Sequence, residues 1–276
     1  MVTVPTIGLN NGVAIPQLGF GVFQVPPAET QQAVEAALEA GYRHIDTAAA
    51  YRNESGVGAA IRSSGIARED LFITTKLRNG EQADARRAFD NSLHELGLDF
   101  VDLYLIHWPV PSQNLYVKAW QALEEIYTEG LSRAIGVSNF LAEHLQTLLA
   151  AGGTVPAVNQ IEIHPTFQQR DVAALSRRHG IAVEAYSPLG QGADLESRTV
   201  TAIAAKYLAT PAQVVLAWHL ANGNIVIPKS ANPDRMAKNL AAARLTLDPE
   251  DLAAITALDA GDRVGADPAT AAFTQL

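Results

Sequence analysis

Four polar residues close or follow short apolar runs in the first half of the chain. Asp46 ends the run that begins at His44, Tyr51 follows in the next loop, Lys76 ends the run from Leu71, and His107 ends VDLYLIH just before Trp108-Pro109. Each has an ordinary explanation when taken alone. Asp46 can cap a turn or a helix, Tyr51 can pack, Lys76 can reach into water, and His107 can be a satisfied core histidine. Taken together they describe chemistry. An ammonium beside an apolar core is costly unless it is paired, and Asp46 on the neighbouring run is its natural partner. Such a pair is expected to lower the pKa of an adjacent phenol, which makes Tyr51 a tunable acid with an imidazole beside it.

The elements that must position these residues are legible from the pattern. Eight short apolar runs recur, starting at Leu18, His44, Leu71, Val101, Ala134, Ala157, Ile181 and Asn224, and successive starts are mostly 23 to 33 residues apart. Between them lie segments with helical spacing, such as ETQQAVEAALEAG, ADARRAFDNSLHELG and YVKAWQALEEIYTEG, several ending in the Gly favoured just past a helix. Near-continuous apolar strands alternating with helices predict a parallel sheet covered on both sides, here an α/β fold of the (β/α)8 TIM-barrel type over residues 1–276 as one domain. Asn10-Asn11-Gly12 between two short apolar stretches predicts an N-terminal β-hairpin. TVTAIAAKYLA, TPAQVVLAWHLANG and DPEDLAAITALDAG predict extra helices toward the C-terminus. The tail 262–276 has no strong period and is compatible with either a cover over a site or a frayed end. In such a barrel, function is expected at the C-terminal ends of the strands, where the four polar residues fall.

Composition narrows the function classes. The 276 residues are 48% hydrophobic and 18% charged, which gives material for a large core and excludes a disordered or fibrous chain. Twenty Lys and Arg against 29 Asp and Glu leave a net charge of −9, which argues against nucleic acid or an anionic membrane as partner. With no cysteine, disulfides, thiolate catalysis and Cys-ligated metals are excluded. The N-terminal sequence lacks the basic and long apolar regions of a secretion signal, so a cytoplasmic enzyme is expected.

The stretches GYRHIDTAAAYRNE, LFITTKL, DLYLIHWP, IGVSNF, VNQIEIHP, YSPLGQG and IPKS followed by Arg235 and Asn239 occur in one order across almost the whole chain. In this the sequence resembles the aldo-keto reductases, in particular the prokaryotic group related to 2,5-diketo-D-gluconate reductases. The resemblance implies a monomer that reduces aldehydes or reactive ketones (α-dicarbonyls, keto-sugars or keto-acids) with NADPH. It implies a catalytic tetrad of Asp46, Tyr51, Lys76 and His107, with Tyr51 as proton donor to the substrate oxygen. It places Ser138, Asn139 and Gln160 around the nicotinamide carboxamide, Tyr186 against the ring, and Ser187, Leu189, Gly190 and Gln191 along the pyrophosphate. Lys229, Ser230 and Arg235 then belong to the adenosine 2′-phosphate, and Asn239 to the cofactor site beside them. That assignment suits a helix opening at Asn232-Pro233, where backbone N–H groups and cations converge. Some relatives have another basic residue in place of Asn232.

The substrate is expected against Phe23, Tyr51, Arg78, His107 and Trp108. Close relatives often read TKLWN where this chain has Thr75-Lys76-Leu77-Arg78-Asn79, so Arg78 either replaces an aromatic wall with a cation or faces solvent.

Gly56-Val57-Gly58 lacks the third Gly of a dinucleotide fingerprint and falls within a helical pattern, so it is read as close helix packing. Two other functions are compatible with parts of the pattern. A barrel metallohydrolase would recruit Asp46, His107, Glu162 and His164, yet the first strand has no His-x-His pair, and no metal is expected. A cofactor-binding regulatory subunit with vestigial activity would keep the fold but not turnover.

Overall fold

The computed structural model describes residues 2–275. Strands β1 (Thr6–Gly8) and β2 (Ala14–Pro16) form the expected antiparallel hairpin, with Ile7 opposite Ile15. Gly12 turns the corner at φ 86°, a conformation open to glycine and costly for other residues. All eight apolar runs become strands: β3 (Phe20–Gly21), β4 (His44–Asp46), β5 (Phe72–Leu77), β6 (Leu103–Ile106), β7 (Ile135–Ser138), β8 (Val158–Glu162), β9 (Ala182–Tyr186) and β10 (Ile225–Val226). They lie side by side in chain order, every pair parallel.

The sheet curls until its two edges meet. Leu18 and Val226 form a parallel bridge, Gly19 N–H donates to Val226 O at 2.8 Å, and Val226 N–H donates to Gln17 O at 2.9 Å.

The segments between strands supply α1 (Pro27–Ala40), α2 (Glu54–Ser64), α3 (Ala85–Leu96), α4 (Tyr116–Thr128), α5 (Ala142–Ala150) and α6 (Arg170–Arg178). The long connection before β10 holds α7 (Arg198–Lys206) and α8 (Pro211–Ala221), and α9 (Pro233–Ala241) and α10 (Pro249–Thr256) follow it. Gly41 and Gly97 take left-handed conformations just past α1 and α3, as their positions in the pattern predicted.

Strands β5, β6, β8 and β10 are each split between two cores. In β6, Tyr104 and Ile106 join the large cluster with Phe89, Trp120 and Leu123 of the surrounding helices. Leu103 and Leu105 instead join Phe72, Val158 and Ile225, with Leu9 and Ile15 of the hairpin segment packed against them. The Gly56/Gly58 pair serves packing, as expected. A Cβ at Gly58 would run into the Leu96 carbonyl, and one at Gly56 would lie 2.9 Å from Thr30 Cβ.

The tail is tied to the strand-end face. Val264 and Gly265 N–H donate to Glu162 at 2.6 and 2.9 Å, Gly80 N–H donates to Thr274 O at 3.0 Å, and Asn79 Nδ2 donates to Phe273 O at 3.1 Å. Among the described residues no single helix is long and apolar enough to cross a membrane.

Candidate active site

Asp46 is the last residue of β4 and pairs with Thr74, while Lys76 pairs with Leu105 two positions further along β5. Thr74 and Lys76 are two residues apart on β5, so parallel register puts the two charges on the same face of the curled sheet, with Lys76 two positions further along. Lys76 Nζ donates to Asp46 Oδ1 at 2.5 Å and to Thr47 O at 3.0 Å, and neither residue is more than 2% exposed. A buried ammonium with two short acceptors is the arrangement that makes its burial tolerable. Tyr51 closes the 3-10 turn Ala49–Tyr51 after β4, with its ring centroid 5.3 Å from Lys76 Nζ. His107 follows β6, and its ring lies 5.6 Å from that of Tyr51. The four sequence-predicted residues thus converge.

Electrostatics departs from the sequence expectation at one point. Burial raises the Tyr51 phenol above its ordinary value, and this outweighs the opposing pull of the Lys76 charge. Lys76 was expected to lower it, but the phenol sits in a poorly solvated pocket where the anion is disfavoured first. Tyr51 therefore holds its proton firmly. Burial alone would pull Lys76 down, but Asp46, Tyr51 and Glu184 together raise it, so it stays an ammonium. His107 is pushed well below its usual range by burial and then by Lys76, which leaves a neutral imidazole.

A cleft of about 950 Å³ opens from this cluster, with Asp46, Tyr51 and His107 in its wall. Lys76 lies beneath Tyr51 at 0% exposure and acts on the cleft through it. Ser138, Asn139, Gln160 and Tyr186 follow along the wall. Ser138 Oγ donates to Gln160 O at 2.9 Å, and Tyr186 Oη donates to Asn139 Oδ1 at 2.7 Å, which ties three strand ends together. Ser187, Leu189 and Gln191 also line the cleft, Ser187 and Gln191 in left-handed conformations. Gly190 does not. Its Cα is turned toward the Asp194 carboxylate, where a Cβ would collide, so its part is to let the loop pass.

At the far end stand Lys229, Ser230, Arg235 and Asn239. Asn232 caps α9 by accepting from Arg235 N–H at 3.1 Å. Phe23 and Trp108 line the near end. Arg78 does not reach it. Its Nε donates to Gln275 O at 3.0 Å, because the tail offers a backbone acceptor where solvent or pocket was expected.

Residues 17–260 match the Aldo/keto reductase family. The chain belongs to the aldo/keto reductase family. An aldo-keto reductase of Mycolicibacterium smegmatis is 52% identical over 98% of this chain and 99% of its own length. A methylglyoxal reductase, DkgA, of Yersinia pestis is 50% identical over 97% of this chain and 98% of its own. Among solved structures, a point variant of Gox0644 crystallised with NADPH superposes with a TM-score of 0.94 at 46% identity, covering 98% of this chain and 100% of that one.

Several residues of this aldo/keto reductase that line the cleft were not singled out by its sequence. Lys238 adds a third cation beside Lys229 and Arg235, and its spacing of one helical turn from Arg235 was the available signal. Phe273 comes from the aperiodic tail and packs edge-on to Trp108 at 5.0 Å, with no pattern to announce it. Glu162 and His164, candidates for a metal site, pair with each other at 3.2 Å, and His164 Nδ1 pairs with Asp194 at 2.7 Å. Burial opposes the charge on His164, but the two carboxylates outweigh it and raise its pKa to about 9.

Proposed function

We propose that this aldo/keto reductase reduces aldehydes or reactive ketones, α-dicarbonyls foremost, to alcohols with NADPH, with Tyr51 as proton donor. The observation that carries this is one cleft with the Asp46–Lys76 pair beneath Tyr51 and His107 at one end and Lys229, Arg235 and Lys238 at the other. The residues fit the cofactor. Among the described residues Gln160 Oε1 takes no hydrogen bond and is free to accept from a carboxamide, and Tyr186 offers an aromatic face beside it. Lys229 and Arg235 at a helix N-terminus suit a phosphate monoester, and Lys238, in the last turn of the same helix, adds a third cation to the cleft lining while Asn232 is spent on its own cap.

When bound, the nicotinamide supplies hydride to the carbonyl carbon. The chain's residues do the rest. His107, neutral, orients the carbonyl oxygen by a hydrogen bond. Tyr51 passes its proton to that oxygen, and the Lys76 ammonium, held in place by Asp46, stabilises the phenolate left behind. Phe23, Trp108 and Phe273 keep water from the near end. The Leu18–Val226 bridge supports reading the curled sheet as a closed (β/α)8 barrel, and we read residues 1–276 as one cytoplasmic domain that works as a monomer.

The test is NADPH consumption followed by absorbance with methylglyoxal and a panel of aldehydes, keto-sugars and keto-acids, run in parallel with NADH. Turnover with NADPH above NADH is expected. Nucleotide binding without turnover of any carbonyl would overturn the reductase reading in favour of a regulatory role.

A further inference from the structure

Beneath the cleft lies a second buried carboxyl that the proposed chemistry does not use. Glu184 is in the middle of β9, inside an otherwise apolar strand, and is 0% exposed. Its Oε2 accepts from Gln160 Nε2 at 2.8 Å, and the same Nε2 donates to Asp46 Oδ2 at 2.9 Å. Both amide hydrogens of Gln160 are therefore committed to carboxyl oxygens, one on each side. The amide does not turn over, since a flipped group would set its Oε1 against the carboxyl oxygens of Asp46 and Glu184 that its Nε2 now serves. With its nitrogen end pinned, Gln160 lies in the cleft wall with its oxygen free to accept.

We propose that Glu184 is a positioning residue. Together with Asp46 it fixes the orientation of the Gln160 amide, so that the cleft offers a hydrogen-bond acceptor, not a donor, to the carboxamide NH2 of the nicotinamide. This rests on the proposed NADPH function.

The surroundings of Glu184 agree with a neutral acid that serves as an acceptor. Burial first, and then the Asp46 charge, push its carboxyl up, against the opposing effects of Gln160 and Lys76. The nearest base, His44 Nε2, is 3.7 Å from Oε1, beyond hydrogen-bond reach, and burial holds its pKa down at about 4. A neutral carboxyl still accepts through its carbonyl oxygen. Glutamine can do the same, whereas methionine, of similar length, cannot.

The experiment measures dissociation constants of NADP⁺ and of its 3-acetylpyridine analogue, which lacks the NH2, by quenching of tryptophan fluorescence. The wild-type chain is expected to prefer NADP⁺ by about three- to tenfold, the value of one hydrogen bond. Glu184→Met removes that preference by weakening NADP⁺ alone, and Glu184→Gln restores it. Should Glu184→Met not fold, Glu184→Thr, whose shorter hydroxyl does not span to Gln160, takes its place. An equal loss for both nucleotides in Glu184→Met would mean a merely structural role and overturn the proposal, as would an unchanged preference. Equal binding of the two nucleotides by wild type overturns it as well. Failure of wild type to bind NADP⁺ at all overturns the NADPH function and the positioning role together, and so is distinguishable from the other outcomes.

Discussion

Replacing Tyr51 by Phe removes one oxygen and keeps the ring. The contacts that hold the ring persist, with Phe23 at 5.2 Å and His107 at 5.6 Å between centroids, so stability is expected to change by less than about 1 kcal/mol. The chemistry has no substitute acid within reach. His107 is neutral and its conjugate acid is disfavoured by burial and by Lys76, while Lys76 itself is committed to Asp46 and Thr47. The full value of a positioned general acid is then lost, roughly 10² to 10⁴ in kcat, or about 3 to 5 kcal/mol of barrier. Binding of NADPH should hold within about twofold, because the phosphate end of the cleft is untouched. A second readout follows from the phenol being raised above 10.0 by burial. The proton is present throughout the neutral range, so kcat/KM for reduction should hold its neutral value past about pH 8 and fall only beyond the ordinary phenol range. Steady-state assays across pH, with circular dichroism to verify folding, check both. Turnover of folded Tyr51→Phe within about tenfold of wild type would remove Tyr51 from the mechanism. A wild-type profile that falls near pH 8 and loses that limb in the variant would show that Lys76, not burial, governs the phenol.

Arg235→Ala should weaken NADPH by about tenfold or more and leave NADH nearly unchanged, measured as dissociation constants; equal losses would contradict a 2′-phosphate contact. Arg78→Ala should leave the ratio of kcat/KM for a keto-acid to that for a neutral aldehyde unchanged, because Arg78 is engaged with Gln275 O; a selective loss for the anion would bring Arg78 back to the pocket. His164→Gln should cost stability in a pH-dependent way. The folded-state pKa of His164 is raised from 6.5 to about 9, so its ionic contribution is fully present below 6.5 and is lost as the pH rises through about 9. The difference in unfolding free energy from wild type, at most about 3 kcal/mol at 1.36 kcal/mol per pKa unit, should shrink over that window, and a difference that grows with pH would refute the assignment.

The sequence was most legible where one residue type has one physical use. Apolar runs at β-strand length between amphipathic helices permit little besides a parallel sheet, and every run from Leu18 to Asn224 lies at a strand. Lys76 and Asp46 were legible because a cation beside a core demands a partner. What escaped depends on three-dimensional proximity without local pattern. The destination of the tail, and with it the place of Phe273 and the capture of Arg78 by Gln275 O, follows from backbone acceptors that no spacing rule encodes. The direction of the Tyr51 shift needed the depth of its pocket as well as the identity of its neighbours. Glu184 left a readable mark, a carboxyl inside IAVEAYS, but its link to Gln160 appears only once β8 and β9 are paired with Gln160 opposite Glu184.

The division of labour in the cleft follows from which parts can move. Asp46, Lys76, Gln160 and Glu184 lie on paired strands, and Ser138 ends another, so their relative positions are fixed by backbone hydrogen bonds on both sides of each strand. Tyr51 and His107 sit just past the ends of β4 and β6, so the phenol and the imidazole are set against the ammonium by that rigid frame. The near wall is built differently. Phe273 and Gly265 belong to the tail, and the tail is held by a few main-chain hydrogen bonds to Glu162, Asn79 and Gly80. Substitutions along the tail can therefore reshape the space around the carbonyl substrate without moving the strand-borne groups. The buried Asp46–Lys76 pair and the Gln160 amide are then bound to the sheet, Tyr51 and His107 sit just past the strand ends, and part of the near wall comes from the tail, which is why the strand-end groups could be read from sequence and the tail's contribution could not.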